Sequence, residues 1–293
     1  MLRMMPACPA PRTTAELEDL LSEPPSEVVE ALANLPGSLI LLGAGGKMGP
    51  TMARMARRAS DLAGTERRVI AVSRFSDPTT RERLETWGVE TIRCDLLDEN
   101  AVAELPDAEN VISMSGYKFG TRRTPHLTWA TNCLVPAHVC RRYSQSRIAA
   151  FSSGNVYGMT PVDGTGSREG DPLEPLGEYS HAALGRERIY QYFARERNVR
   201  VTLLRLNYAT ELRYGVLVDL ALQVARREPI DLTMGHVNVL WLGDANAMSL
   251  RALAHCASSA PAINMAGAEI LRVREVCERF GDLLDVPVHF VGT

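Results

Sequence analysis

Short, continuously apolar runs alternate with amphipathic stretches along most of this chain. The runs at 38–43, 68–73, 90–94, 110–114, 147–152 and 200–206 have strand length. Their unbroken apolar character marks strands buried on both faces. Between them, 48–62, 79–87, 99–104, 125–144 and 178–197 carry the spacing of amphipathic helices. Repeated strand–helix–strand order requires right-handed crossovers and predicts an α/β fold with a doubly wound parallel sheet. Ahead of the first strand, Thr14 is placed to cap a helix through Leu21, Pro24-Pro25 breaks it, and a second helix runs to about Leu35. Beyond Asn207 the pattern loosens into a helix at 216–227, a turn at Glu228-Pro229, a strand at 237–242 and a mixed tail.

Composition narrows this picture by exclusion. The 293 residues are 45% hydrophobic and 23% charged, with a net charge of −3. That suits one medium-sized domain carrying a smaller lobe, and near-neutrality offers no electrostatic footprint for nucleic acid or an anionic membrane. No apolar run approaches the roughly 18 residues that a membrane span needs. The start, MLRMMPACPAPRTT, has no signal-like apolar stretch, and the six cysteines form no CxxC pair. Both point to a cytoplasmic protein with free thiols. The histidines are never at metal-ligand spacing, so no metal site is expected. Of 32 basic residues only two are lysines, Lys47 and Lys118. Arginine serves as the generic surface cation here, so each remaining lysine is either chance or a place where a compact ammonium is needed.

Lys47 lies in Gly43-Ala44-Gly45-Gly46-Lys47-Met48-Gly49, which follows the first strand and opens a helix. In that context the glycines allow a tight turn, backbone approach to a pyrophosphate and close helix–strand packing, and the helix N-terminus favours the anion. The 38–206 segment is therefore expected to be a Rossmann dinucleotide-binding domain to which 237–257 returns. Residues 1–37 form a tail and helical arm, and 158–177, 207–236 and 258–293 form the substrate lobe. The second strand ends in Ser73-Arg74, where a carboxylate would select NAD; hydroxyl and guanidinium favour NADP over NAD. Asp95-Leu96 either sets a carboxylate near the adenine or begins a turn.

The motifs GAGGKMG (43–49), CDLLD (94–98), TN (131–132), FSSGNVYG (151–158), EYSHAALGRERI (178–189), LRLN (204–207) and LGDAN (242–246) occur together. In that order they resemble the extended short-chain dehydrogenase/reductase family, the NAD(P)-dependent sugar epimerases and dehydratases. The resemblance implies that Ser153 and Tyr179 are the catalytic serine and tyrosine and that Asn132 is the helix asparagine supporting them. It also implies that Ser115, in the loop after the fourth strand, borders the cofactor. One position departs. The family's YxxxK lysine would fall at 183, where this chain has Ala183. That lysine holds the nicotinamide ribose and promotes ionisation of the tyrosine, and an unaided tyrosine, pKa about 10, is only about 0.1% ionised at pH 7. Two cations are candidates to replace it. Arg186 shares the helix face within about 20° but lies roughly 10 Å along the axis. Lys118 follows Ser115-Gly116-Tyr117 in the loop leaving the fourth strand, at the sheet edge where ligands bind. His181, about 200° round the helix from Tyr179, points away.

Other chemistry-bearing positions read more blandly. Tyr117 and Tyr157 are wall or packing residues, Trp129 and Trp241 core, and Asp244 a carboxylate at the lobe–sheet junction or a helix cap. Asn207, Arg213, Tyr214 and His236 are expected where the lobe faces substrate. The resemblance implies a homodimer through the 125–144 and 178–197 helices, with Leu127, Ala130, Leu134 and Ala137 facing either the partner or the sheet. The function expected is an NAD(P)-dependent oxidoreductase or epimerase, with NADP favoured over NAD, acting on a secondary alcohol or ketone of a small sugar-like substrate. Gly154-Asn155 after Ser153 argues against dehydration. The rival is a non-catalytic NADP(H)-binding sensor or scaffold that has lost the catalytic lysine.

Overall fold

The computed structural model describes residues 10–118 and 123–292. The arm consists of α1 (Thr14–Leu21) and α2 (Ser26–Ala33). Thr13, not Thr14, caps α1: its backbone is extended and its hydroxyl accepts from the Glu16 N–H, whereas Thr14 is already helical. The alternating unit then runs β1 (Leu39–Leu42), α3 (Gly49–Leu62), β2 (Val69–Ser73), α4 (Pro78–Thr86), β3 (Glu90–Arg93), α5 (Glu99–Ala103) and β4 (Asn110–Ser113). It continues through α6 (Pro125–Arg142), β5 (Arg147–Ser153), a 3-10 turn at Gly154–Tyr157, α7 (Gly177–Arg197) and β6 (Arg200–Leu206). Last come β7 (Ala209–Thr210), α8 (Val216–Ala225), β8 (Ile230–Asp231), β9 (His236–Val237), β10 (Leu240–Trp241), α9 (Leu242–Arg251), β11 (Ala262–Met265), β12 (Leu271–Arg272), α10 (Val273–Leu284) and β13 (Phe290–Val291).

Seven strands form one sheet in the order β11-β6-β5-β4-β1-β2-β3, and every pair in it is parallel. The chain reverses direction across the sheet between β1 and β4, so a ligand crevice opens beyond their carboxyl ends. β1 shows why the sheet holds. Leu39 and Leu41 face one apolar layer with Met52, Ala56 and Leu250. Ile40 and Leu42 face the other, with Val135, Val139 and Tyr190. Both faces of β1 are dry, as its unbroken apolar run requires; β3, at the sheet's edge, differs from that expectation, with Glu90 and Arg93 exposed.

Two stretches differ from the sequence pattern. The apolar run at 237–242 is divided among β9, β10 and the first residue of α9, because Trp241 has the extended backbone of a helix cap. Within 258–293, β11 leaves the lobe to pair with β6 as the sheet's edge strand. Its residues are only partly buried except for Met265, so the short run at 263–265 read as part of the lobe rather than as a sheet edge. The lobe has its own small core of Leu220, Val224, Ile230, Val273 and Cys277.

On α6, Val135 and Val139 face the sheet, while Leu127 and Leu134 are exposed, Leu134 at 51%. Trp129 is not core: it is 40% exposed, and its indole N–H donates to Glu178 Oε2 at 2.8 Å, tying α6 to α7. The acidic side of α1 is met by arginines from three directions. Glu18 pairs with Arg83 of α4 and Arg213 of the lobe, Asp19 with Arg54, and Glu23 with Arg58. Among the described residues no helix is long and apolar enough to cross a membrane. The five described cysteines are free, and among the described residues no group of three or more His, Cys, Asp or Glu could hold a metal.

Candidate active site

The loop from Gly43 to Met48 turns sharply out of β1. Gly43 adopts φ +88°, a left-handed conformation that costs little only without a side chain. The Gly43 and Ala44 N–H groups both donate to Val72 O, at 2.8 and 3.0 Å, which pins the loop to β2. Gly49 opens α3 so close to this loop that a Cβ there would collide with Ala44 O. Gly45 lies against the Ser73 hydroxyl, whereas Gly46 faces nearly open space. No side chain caps α3, whose cap position is Met48. Its first N–H groups are therefore open to an anion, and the dipole favours negative charge there. These residues fit the diphosphate of a dinucleotide.

Around that loop the expected residues separate. Arg74 is exposed beyond Ser73 and has no ion-pair partner among the described residues. Asp95 accepts from the Leu97 N–H at 3.1 Å, so its carboxylate closes a turn. Leu96 is buried, and its carbonyl meets His138 Nδ1. The Lys47 ammonium sits 4.1 Å from the centroid of the Tyr214 ring. Tyr214 and Arg213 thus belong to the wall beside the phosphate loop rather than to the substrate face. With Glu18, Thr80 and Arg83 they line a cavity of about 280 Å³ against Gly45 and Gly46. Burial pushes the Tyr214 phenol well above its ordinary range.

Across the switch point, β4 and β5 carry a second group. Ser115 packs against Gly43. Ser153 ends β5, is buried, and its Oγ accepts from the Asn155 N–H at 3.2 Å. That bond leaves the hydroxyl proton free to donate elsewhere. Tyr179 is half-buried in the first turn of α7. The Lys118 ammonium lies 5.8 Å from the centroid of its ring and 5.6 Å from that of Tyr208. His181 is exposed and turned back onto Gly177 O. Ala183 is buried against Val156 and Tyr157. Asn132, fully buried, donates through Nδ2 to Thr128 O at 2.8 Å and to Tyr117 O at 3.4 Å. Its Oδ1 accepts from Arg186, whose other terminal nitrogen donates to Phe151 O at 2.6 Å.

A second cavity, about 890 Å³, opens in the lobe between Val162, Asp163, Leu232, His236, Ile270, Arg272 and Arg274. Arg272 and Arg274 were not legible as site residues, since exposed arginines are common in this chain. Tyr208 was equally silent. Asn207 holds the lobe entrance by donating to Asn238.

The sequence pattern of the NAD dependent epimerase/dehydratase family matches residues 39–228, about two thirds of the chain. The chain belongs to this family. No curated protein matches it by sequence. Among solved structures, this epimerase/dehydratase family member is similar to the dTDP-glucose 4,6-dehydratase of Bacillus anthracis in complex with NAD. The TM-score is 0.72 and the identity 13%, covering 88% of this chain and 85% of that one. It is also similar to the Thermus thermophilus UDP-glucose 4-epimerase in complex with NAD, with TM-score 0.69, 18% identity, and coverage of 87% and 85%. RMD from Pseudomonas aeruginosa, complexed with NADPH, gives TM-score 0.66, 18% identity, and 87% of each chain. At these identities the likeness establishes the fold.

Proposed function

We propose that this protein is an NADP-dependent reductase or epimerase acting on a secondary alcohol or ketone of a sugar-like substrate. Tyr179 carries the proton and Ser153 orients the reacting oxygen. The observation that carries the reading is the approach of Lys118 to Tyr179, since it gives the tyrosine a cation although position 183 is alanine. When bound along the switch point, the nicotinamide supplies the hydride acceptor or donor. The chain's residues do the rest. Gly43, Gly45, Gly46, Lys47, Met48 and Gly49 cradle the diphosphate, and Ser73 and Arg74 receive a 2′-phosphate. Ser153 donates its free proton to the substrate oxygen. The Tyr179 hydroxyl exchanges the proton with that oxygen, and the Lys118 ammonium stabilises the negative charge developing on Tyr179 Oη. Arg272, Arg274 and His236 give the lobe cavity the polarity to hold an anionic group of the substrate, in keeping with the nucleotide sugars named for the epimerase and dehydratase structures.

A panel of nucleotide-sugar ketones and alcohols with NADPH and NADP⁺ tests this reading, with two variants of position 118. Lys118→Ala is expected to lower turnover by about 10²-fold, the lower range for a lost charge-stabilising group. Lys118→Arg should restore part of it. Turnover indifferent to both would remove Lys118 from the mechanism. For cofactor choice, Arg74→Ala is expected to reduce the preference for NADPH over NADH by about tenfold, the weight of one charge-assisted hydrogen bond. Equal affinities in the parent protein would reverse the NADP assignment.

Ala183 favours one rival, a dinucleotide-binding sensor without chemistry; tight NADPH binding with no turnover across the panel would select it. The outward apolar side chains of α6 support pairing of two copies through α6 and α7. Sedimentation velocity reads that state directly.

A further inference from the structure

Arg186 is 4% exposed, yet no carboxylate lies within ion-pair distance of it among the described residues. The neighbouring acid on α7, Glu187, is committed to Arg205 at 2.9 Å. What Arg186 does touch is uncharged: Phe151 O on β5 and Asn132 Oδ1 on α6, while its Nε has no partner. Buried charges are ordinarily paired because desolvation is expensive. An unpaired one is a fixed positive potential in a dry place.

Its position gives that potential a direction. Arg186 stems from the second turn beyond Tyr179, and helical side chains lean toward the N-terminus, back toward the carboxyl edge of the sheet. The guanidinium ends directly under the loop that leaves β4. A Cβ on Gly116 would stand 2.9 Å from one terminal nitrogen and 3.3 Å from the guanidinium carbon. The exposed Gly116 backbone therefore lies directly over the buried cation. Of the two mononucleotide halves of a Rossmann crevice, β1 to β3 take the adenosine and β4 onward take the other nucleotide. Gly116 stands on the second half, in the loop that leaves β4, the strand that pairs with β5.

We infer that Arg186 supplies, from beneath the nicotinamide end of the crevice, a fixed positive charge in addition to the Lys118 ammonium beside Tyr179. The protein consequently holds the reduced dinucleotide more tightly than the oxidised one. The inference rests on the dinucleotide reading above and adds a sign to it. Oxidised nicotinamide is a cation and reduced nicotinamide is neutral, so an uncompensated charge below the ring penalises only the oxidised form. Arg186 acts as a positioning residue for charge and for Asn132, without touching substrate.

The test is the ratio of two dissociation constants, NADPH by its fluorescence and NADP⁺ by competition, on the full-length protein. The parent is expected to favour NADPH by about tenfold or more, the size of one unit charge acting across about 10 Å at a protein's effective dielectric. Arg186→Gln should bring the ratio toward one, and Arg186→Lys should preserve it. Equal affinities in the parent, or tighter NADP⁺, overturn the inference without requiring any variant to fold. Equal weakening of both ligands by Arg186→Gln also overturns it, because a purely structural tie between α6, α7 and β5 would behave that way. Binding of neither dinucleotide overturns the reading on which it rests, and the inference with it.

Discussion

Tyr179→Phe is expected to lower turnover by about 10²–10⁴-fold, the span a positioned acid/base group contributes, while NADPH affinity is retained. The phenol makes no hydrogen bond to the described residues, and its ring sits half-buried beside Lys118. Removing Oη therefore takes away the proposed proton carrier and no structural tie among the described residues. The phosphate loop stands on the far side of the switch point and does not sense the change. Single-turnover hydride transfer, followed by NADPH absorbance, separates the lost chemical step from any change in binding. A phenylalanine variant that keeps most of its turnover would transfer the proton role to another group.

The largest stability effect is expected at Arg205. Glu187 and Arg205 are both buried, and the pair is completed by Ser152 donating to Glu187 and by Arg205 donating to Tyr157 Oη at 2.6 Å. Burial works against the Arg205 charge, but the hydrogen bonds and charge of Glu187 more than offset it, so the guanidinium is held above its ordinary pKa. Arg205→Met leaves Glu187 as a buried, unpaired carboxylate. The expected cost is about 3–5 kcal/mol, measured as a lower urea midpoint. Arg205→Met combined with Glu187→Leu should recover much of that loss, since neither buried charge then remains. The network reaches further: Arg205 also donates to Glu169 O, and Tyr157 to Asn264. These bonds hold the 158–177 loop that leads into Tyr179. A variant no less stable than the parent would show that the pair is replaceable packing.

The alternation of strands and helices was legible because a parallel sheet covered on both sides demands continuous apolar strands, as β1 and β4 show. The glycine-rich turn from β1 into α3 was legible because Gly43 and Gly49 answer to a tight turn and a close helix approach. The pairing of β11 with the main sheet was not, since an edge strand is buried on fewer sides and its Ala-Ile-Asn-Met pattern reads equally as a lobe element. Trp129 misled for a related reason. A large apolar ring reads as core, but its N–H found Glu178 across the gap between two helices. Tyr214 and Arg213 were expected at the substrate and lie at the phosphate loop, because the partner that draws them there, Glu18, belongs to an arm nearly 200 residues earlier in the chain. No local pattern carries such a pairing. Arg186 was visible as a helix-face candidate, whereas its lack of a counter-ion required the packing of α6, α7 and Gly116.

Lys47 and Lys118 are the chain's two lysines, one on either side of the sheet's switch point. Apart from the chain terminus, both primary amines of this sequence border the proposed ligand crevice. Amine-selective acylation, which elsewhere marks a protein's whole surface, is here confined to that crevice. Mass spectrometry of acylated protein thus becomes a two-position footprint of crevice occupancy, and enzymatic or metabolic acetylation of lysine would act on ligand binding before it acted on anything else.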